Sequence, residues 1–115
     1  MKIRPGYTFD AKTDDQLLVY RGDRMVAFCD GFFLHPRKKR LYFIDQVNWV
    51  DGTTPREMLE AAVWLTQQGV RLWWASRKRD YKYYKTVAKH GNLRKIGVTH
   101  DLFEDEPGML WETVA

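Results

Sequence analysis

The stretch Leu41–Ala75, LYFIDQVNWVDGTTPREMLEAAVWLTQQGVRLWWA, decides the fold. Leu41–Val50 is rich in β-branched and aromatic residues, which predicts a strand that ends at Asp51-Gly52. Thr54-Pro55-Arg56-Glu57 predicts a helix start, because Thr is a good N-cap, Pro fits the first helical position and Glu completes a capping box. The short apolar segment Val70–Ala75 predicts a second, buried strand. Two strands joined by one helix predict a parallel βαβ unit.

The residues before this unit predict antiparallel strands that lead into it. Met1–Asp15 ends in a polar run and predicts a loop. Gln16–Tyr20 and Met25–Cys29 flank a Gly-Asp pair, which is a strong hairpin signal. Phe32-Phe33-Leu34 either continues the second strand or forms a small apolar flap, and the basic turn His35–Arg40 follows it. We therefore expect three antiparallel strands, the third being the first strand of the βαβ unit.

The residues after the unit predict one more helix and a closing hairpin. Asp80 is the expected N-cap of a helix over Tyr81–His90, and Gly91 is its expected C-cap. Leu93–Phe103 and Met109–Val114 predict two strands. The predicted order is β-β-β-α-β-α-β-β, an α+β fold with a mixed sheet, and we expect residues 1–115 to form a single domain.

The composition narrows the class of protein. The chain has 115 residues, is 44% hydrophobic and 30% charged, and carries a formal net charge of +4, which is typical of one globular domain. The single Cys29 excludes an intrachain disulfide, and the spacing of the histidines predicts no metal site. We find no signal peptide and no membrane-spanning run, so a cytoplasmic protein is expected.

Two segments of this order resemble the GNAT superfamily of acyl-CoA-dependent N-acyltransferases. The strand ending at Val50, with the helix and strand that follow it, is similar to the family's central acyl-CoA-binding unit. The family often carries Asn-x2-Ala-x2-Phe-Tyr-x3-Gly-Phe after the next strand; here Asp80 stands at the Asn position and Gly91 falls eleven positions later. The resemblance covers about Gln16 to Val114. The chain also resembles the short GNAT-like proteins encoded by tailed phages, which implies a host cytoplasm or a virion as its location.

The resemblance implies transfer of an acetyl group from acetyl-CoA to an amine on a protein or a small molecule. Asp45, in the first strand of the βαβ unit, would be the general base, and the alternative is a carboxylate with a structural role. The family's usual tyrosine acid would fall at Val87, so the nearby Tyr84 is the candidate, unless it is only a core aromatic. Backbone N–H groups near Trp49 or Val50 would hold the oxyanion.

The same resemblance implies a binding site for the phosphates of acetyl-CoA. Thr53, Thr54 and Arg56 stand where the family has the glycine-rich pyrophosphate loop, although this segment is shorter and has one glycine. The ordinary alternative for these three residues is a plain helix cap. Arg77 begins a basic run that would also suit the 3′-phosphate of CoA.

The basic run from Arg77 to Lys95 allows a different function. Its lysines and arginines alternate with tyrosines, which is typical both of a surface that contacts nucleic-acid phosphates and of an ordinary solvated helix face. The alternative to the enzyme is therefore a catalytically inactive GNAT-fold protein, a binding or structural (virion or host-interaction) protein that uses this basic surface. No membrane partner is expected, and the sequence does not determine the oligomeric state.

Overall fold

The computed structural model describes residues 1–13, 16–100 and 102–114. Within these ranges the chain forms seven strands and two α-helices, joined once by a short 3-10 helix over Lys78–Asp80. The strands and helices follow in the order β1 (Tyr7–Thr13), β2 (Gln16–Arg21), β3 (Arg24–His35), β4 (Arg40–Trp49), α1 (Pro55–Thr66), β5 (Leu72–Arg77), α2 (Tyr81–His90), β6 (Leu93–Thr99) and β7 (Gly108–Thr113). The predicted α+β class and mixed sheet are confirmed.

All seven strands belong to one sheet, in the order β1-β2-β3-β4-β5-β7-β6. Strands β1 to β4 form an antiparallel meander, β4 and β5 are parallel, and β7 lies antiparallel between β5 and β6. The parallel pair is the predicted βαβ unit, with α1 as its connection. Phe32-Phe33-Leu34 continues β3, so the strand alternative for this segment is confirmed and the flap is not formed.

The first strand corrects the prediction for Met1–Asp15. Residues 7–13 form β1 instead of a loop, while residues 14 and 15 lie outside the described part of the chain. The rings of Tyr7 and Phe9 both lie 6.0 Å from the ring of Trp64 on α1, measured between centroids. Contact with the helix explains why a segment with polar neighbours is held in the sheet.

Helix α1 begins as its sequence predicts. The hydroxyl of Thr54 accepts a hydrogen bond from the backbone N–H of Glu57, and the carboxylate of Glu57 accepts one from the N–H of Thr54, at 3.2 and 3.0 Å. This reciprocal pair is the expected capping box. Helix α2 has the predicted bounds, but the side chain of Asp80 makes no capping hydrogen bond, because a turn of 3-10 helix leads directly into α2.

The hydrophobic core lies between the sheet and the two helices. Ala61, Ala62 and Leu65 of α1 are buried in the same cluster as Ile44 and Trp74 from the parallel strands. The hydroxyl of Tyr83 on α2 donates to the backbone carbonyl of Met58 on α1 over 2.7 Å, so the two helices pack against each other. The sheet and helices together frame the site described next.

Candidate active site

A β-bulge interrupts the antiparallel pairing of β3 with β4, beside the parallel pair β4 and β5. Asp30 on β3 pairs with Gln46 on β4, but the next β3 residue, Gly31, pairs with Ile44. Asp45 is therefore an extra residue of β4 that faces no partner on β3. A bulge of this kind bends its strand and increases the local twist.

The parallel pairing ends at the same place. β4 and β5 are paired at three positions, of which Ile44 opposite Trp74 is the last, although both strands continue further along the chain. From Asp45 onward the two strands separate. The bulge accounts for this separation, because it turns β4 away from the direction that β5 keeps.

A cleft of about 490 Å³ occupies the space between the separated strands. It is lined by residues of both strands, of both helices and of neighbouring segments: Asp45, Gln46, Val47, Trp49, Met58, Ala75, Ser76, Arg77, Arg79, Asp80, Tyr83, Tyr84 and Phe103. Four of the eight residues that the sequence analysis singled out lie together here, namely Asp45, Tyr84, Trp49 and Arg77. The other four, Val50, Thr53, Thr54 and Arg56, lie outside the lining.

Asp45 is an exposed carboxylate at the cleft wall. Partial burial raises its pKa above the ordinary value, and the negative charge of Asp30 raises it further. A carboxyl group with a raised pKa is a stronger base than an ordinary one when it is ionised. Asp45 therefore has the position and the acid-base properties that proton abstraction in the cleft requires.

Tyr84 reaches the cleft from α2. Its side chain is buried, and its hydroxyl oxygen accepts a hydrogen bond from the indole N–H of Trp74 over 3.1 Å. Burial raises the pKa of Tyr84 well above its ordinary value, while the hydrogen bond from Trp74 opposes part of that rise. Tyr84 is therefore protonated at neutral pH, as a proton donor must be.

The backbone of Trp49 faces the cleft. The N–H of Val50 donates to the carbonyl of Val26 on β3 over 3.0 Å, whereas Trp49 stands opposite Ala27 in the same ladder. Because neighbouring positions of an antiparallel ladder alternate in direction, the N–H of Trp49 points away from β3, toward the strand that has separated. Of the two N–H groups considered for an oxyanion, Val50 is used within the sheet and Trp49 is directed at the cleft.

Arg77, in the wall of the cleft, is bonded to two carboxylates of the segment between β6 and β7. Its guanidinium donates to Asp105 and Glu106 over 2.8 and 3.0 Å, and the guanidinium carbon lies 4.3 Å from the centre of the Phe103 ring. The two carboxylates raise the pKa of Arg77 further. Its positive charge is therefore neutralised within the protein instead of being left for an external phosphate.

The expected phosphate-binding residues are used by the start of α1. The hydroxyl of Thr53 donates to the carbonyl of Val26 over 3.1 Å, and Thr54 serves the capping box. Arg56 is exposed, with its nearest anionic partner, Glu60, 3.6 Å away. The helix-cap alternative describes Thr54 in this structure, whereas the hydroxyl of Thr53 links the start of α1 to β3.

Two buried glutamates of α1 are bonded to partly exposed arginines from the first part of the chain, and sequence reasoning missed this cluster. Glu57 receives hydrogen bonds from Arg21 and Arg24 of the β2–β3 hairpin. Glu60, which is fully buried, receives them from Arg4 and from the hydroxyl of Tyr7. Only the capping box left a signal in the sequence, since the other partners are more than 30 residues away from the carboxylates.

Two further kinds of site were looked for among the described residues, a metal site and a membrane-spanning helix. Within residues 1–13, 16–100 and 102–114, no group of three His, Cys, Asp or Glu side chains is placed to hold a metal ion. In the same ranges, neither helix has the length and apolar character needed to cross a bilayer.

Comparison with solved structures identifies the fold. A GNAT family acetyltransferase from Bacillus cereus ATCC 10987 superposes with a TM-score of 0.58 at 11% identity, over 86% of this chain and 69% of that one. A GNAT family acetyltransferase from Streptococcus pneumoniae gives 0.52 at 14% identity, over 89% and 68%. No protein-family model and no curated protein matches the sequence. The chain therefore has the fold of the GNAT acetyltransferases, and the similarity is one of structure.

Proposed function

We propose that this protein is an N-acyltransferase that moves an acetyl group from acetyl-CoA to an amine. One observation carries the proposal: the cleft between β4 and β5 brings Asp45 and Tyr84 together, on a fold that two acetyltransferases share. A carboxylate base and a neutral tyrosine acid are the pair that aminolysis of a thioester requires.

The two ends of acetyl-CoA fit this chain differently. The thioester and its pantetheine arm are narrow and mostly uncharged, and a 490 Å³ cleft between separated strands suits them. The diphosphate does not fit the start of α1, where Glu57 already supplies a negative charge. The proposed reaction therefore uses only residues around the cleft.

In this reaction acetyl-CoA supplies an acyl group activated as a thioester. Asp45 accepts the proton of the attacking amine as the new carbon–nitrogen bond forms. Tyr84 donates its hydroxyl proton to the sulfur as the carbon–sulfur bond breaks. The N–H of Trp49 stabilises the negative charge that develops on the acyl oxygen. Proton exchange with water then restores Asp45 and Tyr84 for the next turnover.

Cleft polarity favours an amine acceptor. Asp45 and Asp80 both line the cleft and are exposed, and neither forms an ion pair with another residue in the described part of the chain. Carboxylates attract a protonated amine and then position it for deprotonation. Both a protein side chain and a small molecule satisfy this requirement.

A binding assay followed by a turnover assay tests the proposal. Acetyl-CoA at a hundred times its Kd should stabilise the fold by about 2.7 kcal/mol, which a thermal shift detects. Turnover with a panel of amines should release free thiol, and Asp45→Asn should abolish that release while Asp80→Asn, in the same cleft, retains most of it. No thermal shift at millimolar acetyl-CoA, together with no thiol release, would exclude the enzyme.

A second candidate is a non-catalytic GNAT-fold protein that binds an anionic partner through α2. Lys82, Lys85 and Lys89 are exposed along this helix, and none has an ion-pair partner among the described residues. Nucleic acid is the anionic partner that the sequence favours. Its binding should weaken steeply as salt increases, because phosphate contacts release counterions. Salt-independent binding, or no binding, would reject this candidate.

A further inference from the structure

The start of α1 is filled by the protein's own side chains. We propose that the acyl donor is recognised through its pantetheine arm, and that Glu57 excludes a diphosphate from the N-terminus of α1. This inference rests on the proposed function and specifies its donor: an acyl-pantetheine thioester, with or without a nucleotide attached.

Four backbone N–H groups at the start of α1 are already bonded within the protein. A helix N-terminus binds phosphate because its first N–H groups lack acceptors within the helix. Here the N–H of Thr53 donates to the carbonyl of Val50, that of Thr54 to the carboxylate of Glu57, and that of Glu57 to the hydroxyl of Thr54. The N–H of Met58 donates to the carbonyl of Thr54, and Pro55 has no N–H to offer.

The place for an anion at this helix end is already taken by a carboxylate of the protein itself. Glu57 is 2% exposed and accepts hydrogen bonds from both Arg21 and Arg24. Hydrogen bonding to the Thr54 N–H and to these arginines lowers the pKa of Glu57 to about 2, despite its burial. The carboxylate is therefore ionised at neutral pH and occupies the favourable end of the helix dipole, which is the place that a phosphate would need.

The cleft, by contrast, offers what a pantetheine thioester needs. It lies between two strand edges, and its walls include Val47, Trp49, Ala75 and Tyr84. Arg77, at the rim, is paired with Asp105 and Glu106. The arm and the thioester can therefore lie among these side chains, and the exposed Arg79 is a further cation in the lining.

A matched pair of donors tests the inference on the full chain. Acetyl-CoA and acetyl-pantetheine carry the same thioester, and only the first carries a diphosphate. We expect their Kd values by calorimetry, and their kcat/KM values for thiol release, to agree within about tenfold at physiological ionic strength. A diphosphate held by charge-assisted hydrogen bonds gains about tenfold or more in affinity from each bond. A larger preference for acetyl-CoA would overturn the inference but leave the proposed function standing, whereas failure of both donors to bind or react would remove both.

A single substitution identifies the group responsible. Glu57→Gln keeps the capping box, because Gln serves at this position too, but removes the negative charge that Arg21 and Arg24 face. We expect its preference for acetyl-CoA over acetyl-pantetheine to rise by about tenfold relative to the wild type. Glu60→Gln, one turn further along the helix, is the control and should leave the preference unchanged. An unchanged preference in folded Glu57→Gln would overturn the role of Glu57.

Discussion

The indole nitrogen of Trp74 donates a hydrogen bond to the hydroxyl oxygen of Tyr84 over 3.1 Å. Both side chains are buried, and their rings meet edge to face with centroids 5.6 Å apart. Because the hydroxyl oxygen of Tyr84 accepts from the indole, its hydrogen is not directed at Trp74. Tyr84 also lines the cleft. Trp74 thus holds the hydroxyl oxygen of Tyr84 in place at the cleft wall.

This hydrogen bond predicts the effect of Tyr84→Phe. Loss of the general acid should lower kcat by at least about a hundredfold. It should also cost about 1–3 kcal/mol of stability, because the buried N–H of Trp74 loses its acceptor. Steady-state kinetics and thermal unfolding measure the two effects separately.

Tyr83→Phe is the control for Tyr84→Phe. Tyr83 also borders the cleft, but its hydroxyl donates to the carbonyl of Met58 and has no proton left for a substrate. Its kcat should change far less. Equal losses of kcat in the two variants would show that Tyr84 is not the acid.

The pH dependence of the reaction should report Asp45. Burial and the charge of Asp30 raise its pKa, so its basic form appears as the pH rises through a range above the pKa of an ordinary aspartate. The rate should therefore increase across that range in the wild type, and this acid limb should disappear in Asp45→Asn. Profiles of kcat/KM for both proteins and for Asp80→Asn provide the measurement. If the acid limb disappears in Asp80→Asn and remains in Asp45→Asn, the base is Asp80 and not Asp45.

Gly31 should be essential to the bulge. A Cβ at this position would lie 1.9 Å from the carbonyl oxygen of Phe43, on the neighbouring strand, so any side chain must push β3 and β4 apart beside Asp45. We expect Gly31→Ala to lower the melting temperature by several degrees, from a cost of about 1–3 kcal/mol, and to reduce donor binding. Gly97→Ala is the control, because a Cβ there meets no atom within 4 Å. A Gly31 variant as stable as the Gly97 variant would contradict the observed register.

Low pH should reduce the stability that Glu57 and Glu60 give to the packing of α1 against the first strands. Burial opposes ionisation of Glu60, but hydrogen bonds from Arg4 and Tyr7 lower its pKa to about 2, and the pKa of Glu57 is also lowered to about 2. Both values lie below the ordinary 4.5, so this stabilisation is complete above pH 4.5 and is lost progressively toward pH 2. Urea unfolding at a series of pH values should show a shallower acid loss in Glu60→Gln than in the wild type. Identical slopes would show that Glu60 is not linked to stability in this way.

Local features of the chain were predictable, and features that depend on distant partners were not. The capping box of Thr54 and Glu57 lies within four residues and was read correctly from the sequence. The arginines that complete the Glu57 cluster approach it only after β2 and β3 have paired, so no local pattern reveals them. Strand β1 was missed because its apolar alternation is short and runs into charged residues, and its partner Trp64 lies far along the chain.

The candidate site shows the same division. Asp45 was recognised as an unusual carboxylate within an apolar strand, but its position in a bulge depends on the register with Gly31. Sequence reasoning likewise grouped Asp45 and Tyr84 by resemblance, and the cleft that they share follows from where β4 and β5 separate. Whether these residues act in catalysis stays a prediction that the variants above test.

The position of β7 has a consequence for the order in which the molecule assembles. β7 follows β6 in the chain yet lies between β5 and β6 in the sheet. During synthesis β6 leaves the ribosome before the strand that joins it to the rest of the fold, so it must wait without a neighbour until Gly108–Thr113 has been made. The meander of β1 to β4 needs only nearby partners and can form early, which makes insertion of β7 the natural closing step of folding.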